Sequence, residues 1–180
     1  MNTKRVLLGV LLVLSITTMS TTATVEKNNG VNVHASFDDN QGKTITASVM
    51  TMMNGDIGLI VSQDIRDLDG NPISFSHGWK VLNDEEFEVK NGLSSATLTS
   101  SVVLNQYYPE YAEIVIANLE ISWKATGKPE TTQDKWNDPY PNAKISFVHS
   151  DAIATGSING ASMGPSFYAS MDEWKIMKKL

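Results

Sequence analysis

Period-two alternation of apolar and polar residues recurs along nearly the whole chain, and no other feature limits the possible folds so tightly. Val31, Val33, Ala35 and Phe37 share one parity, against Asn32, His34, Ser36 and Asp38. Ile45, Ala47 and Val49 alternate with Thr44, Thr46 and Ser48, and Ile57, Leu59 and Val61 with Gly58, Ile60 and Ser62. Ile73, Phe75, His77, Trp79 and Val81 then oppose Ser74, Ser76, Gly78 and Lys80. Similar rows are Phe87 and Val89; Ala96, Leu98, Val102 and Leu104; and Val115, Ala117, Leu119, Ile121 and Trp123. Ile145 and Phe147 begin another, followed by Ala152, Ala154, Gly156 and Ile158, then Phe167, Ala169 and Met171. A strand sends alternate side chains to opposite faces, so each segment is expected to bury its apolar row. That expectation makes Phe75, Trp79, Ile121 and Trp123 core anchors.

Turn chemistry punctuates these rows. Asp39-Asn40-Gln41-Gly42, Asn54-Gly55, Asp67 to Pro72, Asn91-Gly92 and Asn159-Gly160 combine residues that tolerate positive φ or start turns. The count is nine or ten strands with no clear crossover helix between them. An all-β fold follows, an antiparallel β-sandwich or barrel, and a parallel α/β sheet is poorly supported. Residues 112–125 also fit helical spacing, but their β-branched content favours a strand. Residues 127–142 carry Pro129, Pro139 and Pro141 and read as a long loop. Parity shifts from Met171 to Trp174 and Ile176, which suggests a bulge near Asp172 or a short helix over 171–180.

The first 23 residues read as a signal peptide. Lys4 and Arg5 precede an apolar run from Val6 to Leu14, and cleavage after Ala23 would put Thr21 at −3. The run is shorter than the roughly 20 residues that a membrane-spanning helix requires. An uncleaved N-terminal anchor is the alternative. Residues 24–30 look like a flexible leader, and 31–180 like one domain. The expected location is extracellular or periplasmic.

Composition narrows the functional classes. The 180 residues contain no Cys, which removes disulfides, Cys-ligated metals and a thiol nucleophile. The net charge is −6, and cutting after Ala23 leaves 12 cations and 20 acids, so no polybasic nucleic-acid or membrane footprint exists. No Gly-x-Ser-x-Gly, His-Glu-x-x-His or phosphate-binding Gly-rich motif occurs. Parity turns His77 and His149 inward or to strand ends and leaves His34 solvated. Asp64, Asp67, Asp69 and Asn71 crowd one turn, where a weak calcium site competes with an ordinary solvated hairpin.

Aromatic residues on proline-containing loops remain. Tyr107, Tyr108 and Tyr111 flank Pro109, and Trp136 and Tyr140 sit in the 127–142 loop. Rings on stiff loops can stack on sugars or anchor a protein partner. The sequence thus predicts an exported, non-catalytic binding module for a carbohydrate, cell-surface component or protein, with these five residues as the ligand-binding set. It implies no catalytic residue, metal or cofactor. The alternatives are a self-assembling envelope protein whose strand edges pair with copies, and a small hydrolase using a carboxylate pair. Oligomeric state has no sequence signal.

Overall fold

The computed structural model describes residues 25–38, 42–136 and 143–179. The expected signal peptide, residues 1–23, the turn residues 39–41 and Tyr140 lie outside them. The strands are β1 (Val25–Asp38), β2 (Lys43–Thr51), β3 (Ile57–Arg66), β4 (Pro72–Val81), β5 (Phe87–Val89) and β6 (Ser95–Tyr108). They continue with β7 (Ala112–Ala125), β8 (Glu130–Trp136), β9 (Ala143–Ile158), β10 (Ala161–Pro165) and β11 (Tyr168–Lys179). All pairings are antiparallel.

Eight strands close a circuit. β9, β11, β1, β2, β3, β4 and β6 are successive neighbours, and β7 pairs with both β6 and β9. Of the two expected architectures, this pairing is that of a barrel, and closure removes the edges an open sheet would expose. The interior is packed with Val33, Ala35, Phe37, Ala47, Val49, Leu59, Val61, Leu98, Leu119, Ile121, Trp123 and Met171. Full burial of a Leu or Val side chain contributes about 1.5–3 kcal/mol, so the filled interior is the main source of stability. Trp123 satisfies its indole N–H by donating to the His34 carbonyl at 2.9 Å. Much of the outer surface is polar, including Thr44, Thr46, Ser48, Thr97, Thr99, Asn118 and Glu120.

Three strands run past the barrel. β9 pairs with β7 over Ala152–Ile158, but with β8 over Ala143–His149 and with β11 over Lys144–Asp151. β1 pairs with β2 only from Asn32 onward, while Val25–Val31 pairs with β11. These halves and β8 form a four-stranded arm.

The arm accounts for several corrections. β8 occupies part of the expected 127–142 loop, and β1 begins within the expected leader. The register of β11 against β1 is continuous from Tyr168 to Lys179, with neither a bulge at Asp172 nor a helix. The parity shift there arises because β11 leaves the barrel, so a different face is covered. Trp174 now lies over Gly30, where an added Cβ would come within 2.3 Å of the indole.

The largest correction concerns β4. Leu59 and Val61 of β3 point inward, as expected, and they pair with Lys80 and Gly78. Ser76 is therefore 2% exposed, whereas Trp79 is 65% and Phe75 38% exposed. Both fail as core anchors, and His77 is on the outer face too. The cause is register. The hairpin ladder pairs odd residues of β3 with even residues of β4, so a row buried on one strand fixes the row buried on the next. Packing reinforces it, because a Cβ on Gly78 would come within 2.2 Å of the Val103 carbonyl oxygen.

The inward Lys80 is satisfied. Its ammonium meets Glu86 at 2.5 Å. The same carboxylate accepts from the Ser100 hydroxyl at 2.7 Å and from the Asn83 N–H at 3.1 Å. Direct β4–β6 pairing covers only Phe75–His77. Beyond it, the Glu86 turn and β5 fill the widening seam, with β5 paired to β6.

Candidate functional site

The inverted β4 row is the core of the candidate site. His77 is opposite Ser62 on β3 and Asn105 on β6, and Trp79 is opposite Ile60. On the next pair of strands Val103 is opposite Ile116. Counting outward residues in steps of two gives three bands across the sheet. The first is apolar, Ile60, Trp79, Val103 and Ile116. The second can hydrogen-bond, Ser62, His77 and Asn105. The third starts at Asp64, opposite Phe75, and is otherwise aromatic, Phe75 and Tyr107 with Tyr111 from the following turn. Strand spacing and rise make this face roughly 15 Å in each direction.

The aromatic band is interlocked. Phe75 and Tyr107 have ring centroids 6.5 Å apart at 48°, and Tyr107 and Tyr111 are 5.7 Å apart at 71°. The His77 ring is 6.4 Å from Tyr107. The Gln106 amide donates to the Glu110 carbonyl at 3.3 Å and ties the β6–β7 turn together. Tyr107 stays 53% and Tyr111 72% exposed, and Tyr108 is exposed beside them. Tyr107 and Tyr111, two of the expected residues, therefore pack together with Phe75 and His77.

Trp136, expected in the same set, lies elsewhere. It pairs with Ala143, the first residue of β9. Leu119, well inside β7, already pairs with Ile158, the last residue of β9. The Tyr107–Tyr111 turn precedes β7, so it lies beyond that far end. Roughly 50 Å of extended chain separates it from Trp136. The two aromatic segments do not form one site.

Phe75, Trp79, Val103 and Ile116 escape a strand-by-strand reading. One signal was present. Ser74, Ser76 and Gly78 are small and uncharged, so the row opposite Trp79 could face a core as readily as solvent.

The histidines divide by environment. His34 is half-buried, not solvated. It bonds through Nδ1 to Ser48 at 2.8 Å and through Nε2 to Ser36 at 3.1 Å, and it packs on Tyr168. Desolvation lowers its pKa. His149 is part-exposed on the arm, with Nδ1 2.6 Å from Asp172 and Nε2 3.4 Å from Asp151. The Asp172 hydrogen bond raises its pKa against a smaller desolvation effect.

The acidic turn consumes its own acceptors. One Asp67 oxygen takes the N–H groups of Asp69 and Asn71, and the other takes the Asn71 amide. Those bonds, the Asn71 amide first, hold Asp67 below the usual carboxylate range. Asp64 pairs with Arg66 at 2.8 Å. No cluster of three or more His, Asp or Glu suited to a metal occurs among the described residues.

A depression of about 260 Å³ is lined by Gln63 and by the inward-facing Ser76, Leu104, Ala117 and Ile158 at one end of the barrel. No protein-family model, curated protein or solved structure matches the chain.

Proposed function

We propose that the chain is an exported, non-catalytic binding protein whose recognition surface is the outer face of β3, β4, β6 and β7, and that this face meets a protein partner. One observation carries the reading. An apolar band and an aromatic band, on either side of a polar one, lie outside a barrel packed with apolar side chains. Soluble proteins seldom expose patches of that kind without a partner. The exposed Trp79 and Tyr107 in these bands fit the composition of binding hot spots.

The chemistry favours protein over polysaccharide. Ile60, Val103 and Ile116 offer branched aliphatic surface, which suits side-chain packing better than sugar stacking. The rings of Phe75, Tyr107 and Tyr111 are tilted against one another and form no flat shelf. The central band of Ser62, His77 and Asn105 can satisfy polar groups brought in by the partner. Export rests on the Lys4-Arg5 and apolar leader pattern. No helix among the described residues is long and apolar enough to cross a membrane.

The test compares wild type with Trp79→Ala/Tyr107→Ala on arrays displaying extracellular proteins and glycans. The expected result is retention on a protein that the double variant loses, with the melting temperature kept to within a few degrees. Retention on glycans alone, or equal retention by both forms, overturns the reading. Sedimentation shows whether the partner is a second copy, through a mass that rises with concentration in wild type only.

A further inference from the structure

The arm carries chemistry opposite to that of the barrel face and independent of it. Lys135 of β8 is directly opposite Lys144 of β9, and Lys144 is opposite Met177 of β11. One row along, Gln133 is opposite Ser146, which is opposite Lys175. Directly opposed residues have Cβ atoms roughly 4.5–5.5 Å apart, and like charges there are destabilising. Lys175 is neutralised by Glu173 at 2.7 Å. Lys135 and Lys144 have no such ion pair among the described residues. Asp134 lines the same depression, its Oδ1 accepting the Lys135 N–H at 2.7 Å, so the two lysines outweigh one carboxylate there.

Lys135, Lys144 and Asp134 line a depression of about 360 Å³, to which Gln133 and Ser146 add uncharged polar groups and Met177 an apolar wall. That volume falls within the range of small-ligand sites. A chain of net charge −6 thus places two opposed, unpaired ammonium groups beside one concavity. An anion between them would convert mutual repulsion into two charge-assisted contacts.

We propose that this depression is a binding site for an oxyanion carried on a small polar ligand, a carboxylate, sulfate or phosphate group. Lys135 and Lys144 would clasp the charged group, and Gln133 and Ser146 would bond to its remaining oxygens or to neighbouring hydroxyls.

The test titrates the intact protein calorimetrically with inorganic phosphate, trigalacturonate and neutral maltotriose. Binding of an anionic probe without binding of maltotriose is expected. Phosphate binding shows that the oxyanion suffices, whereas binding of trigalacturonate alone shows that the sugar contributes. Lys135→Gln/Lys144→Gln should weaken the anionic probe at least about tenfold, and Lys144→Arg should retain most affinity. Raising NaCl from about 50 to about 500 mM should weaken binding in wild type. The Gln double variant should melt no lower than wild type, because it relieves like-charge repulsion. Failure of both anionic probes to bind at millimolar concentration overturns the proposal. So does equal binding by the Gln double variant, or maltotriose binding as well as trigalacturonate.

Discussion

Strands β2 and β4 have nearly equal lengths and similar alternation, yet they turn their apolar rows in opposite directions. On β2, Ile45, Ala47 and Val49 are buried. On β4, Ile73, Phe75, Trp79 and Val81 are exposed, while Ser76 and Gly78 face the core. Hydrophobicity alone would have sent both rows inward. The difference shows that facing is a property of the ladder. β2 obeys its own pattern because β1 and β3 agree with it. β4 is overruled by the register with β3 and by the closeness of β6.

The sharpest way to break this comparison is to exchange the tolerances of adjacent β4 positions. Gly78→Val should cost about 3 kcal/mol or more, because its Cβ meets backbone that cannot rotate away. Trp79→Ser, one residue along, removes a much larger side chain and should cost less than about 1 kcal/mol. Urea denaturation of the two variants decides the matter. If Trp79→Ser proves the more damaging, β4 turns its apolar row inward and the proposed recognition face does not exist.

That pair of residues also marks where sequence reading stops. The rows of β1 and β2 were legible because each places its apolar residues opposite polar ones. Trp123 and Ile121 were legible for the same reason. Trp79 was not, since hairpin register depends on the whole β3–β4 turn and the β6 approach, which periodicity within one strand does not encode. The Tyr107–Tyr111 cluster was visible as a proline-flanked aromatic turn. Its separation from Trp136 was hidden, because it follows from β9 serving the barrel with one half and the arm with the other. The Lys135–Lys144 opposition was hidden too, because those residues meet only through β8–β9 register.

A second experiment asks how the inward Lys80 is tolerated. Glu86→Ala removes the carboxylate that holds Lys80, Ser100 and Asn83, and should cost roughly 2 kcal/mol at neutral pH. Burial pushes Glu86 up, but the bonds from Lys80 and Ser100 outweigh it and leave its pKa below the ordinary 4.5. A lowered carboxylate pKa stabilises the fold above the unfolded value and loses that contribution as pH falls through the folded value. The gap between wild type and variant should therefore hold from neutral pH down to about 5 and narrow below the ordinary pKa. A gap that stays constant down to pH 2 would separate the inward Lys80 from Glu86 and leave β4's inversion without its electrostatic support.

The smallest effect contrasts that enclosed pair with an open one on the arm. His149 is held above its ordinary value of 6.5 by Asp172, so the linkage has the opposite sign. Its contribution is complete below the unfolded pKa and fades as pH rises through the folded one. Asp172→Asn should therefore destabilise the protein more at pH 6 than at pH 9. Because His149 and Asp172 both keep substantial solvent exposure, salt should shrink that difference. The Glu86 difference should resist salt better, since the Glu86 side chain is more enclosed. Thermal melts of the two variants at low and high NaCl make the comparison directly. Equal salt sensitivity would mean that Glu86, like Asp172, is effectively at the surface. The β4–β6 seam would then be open to water at the point where Lys80 is turned inward.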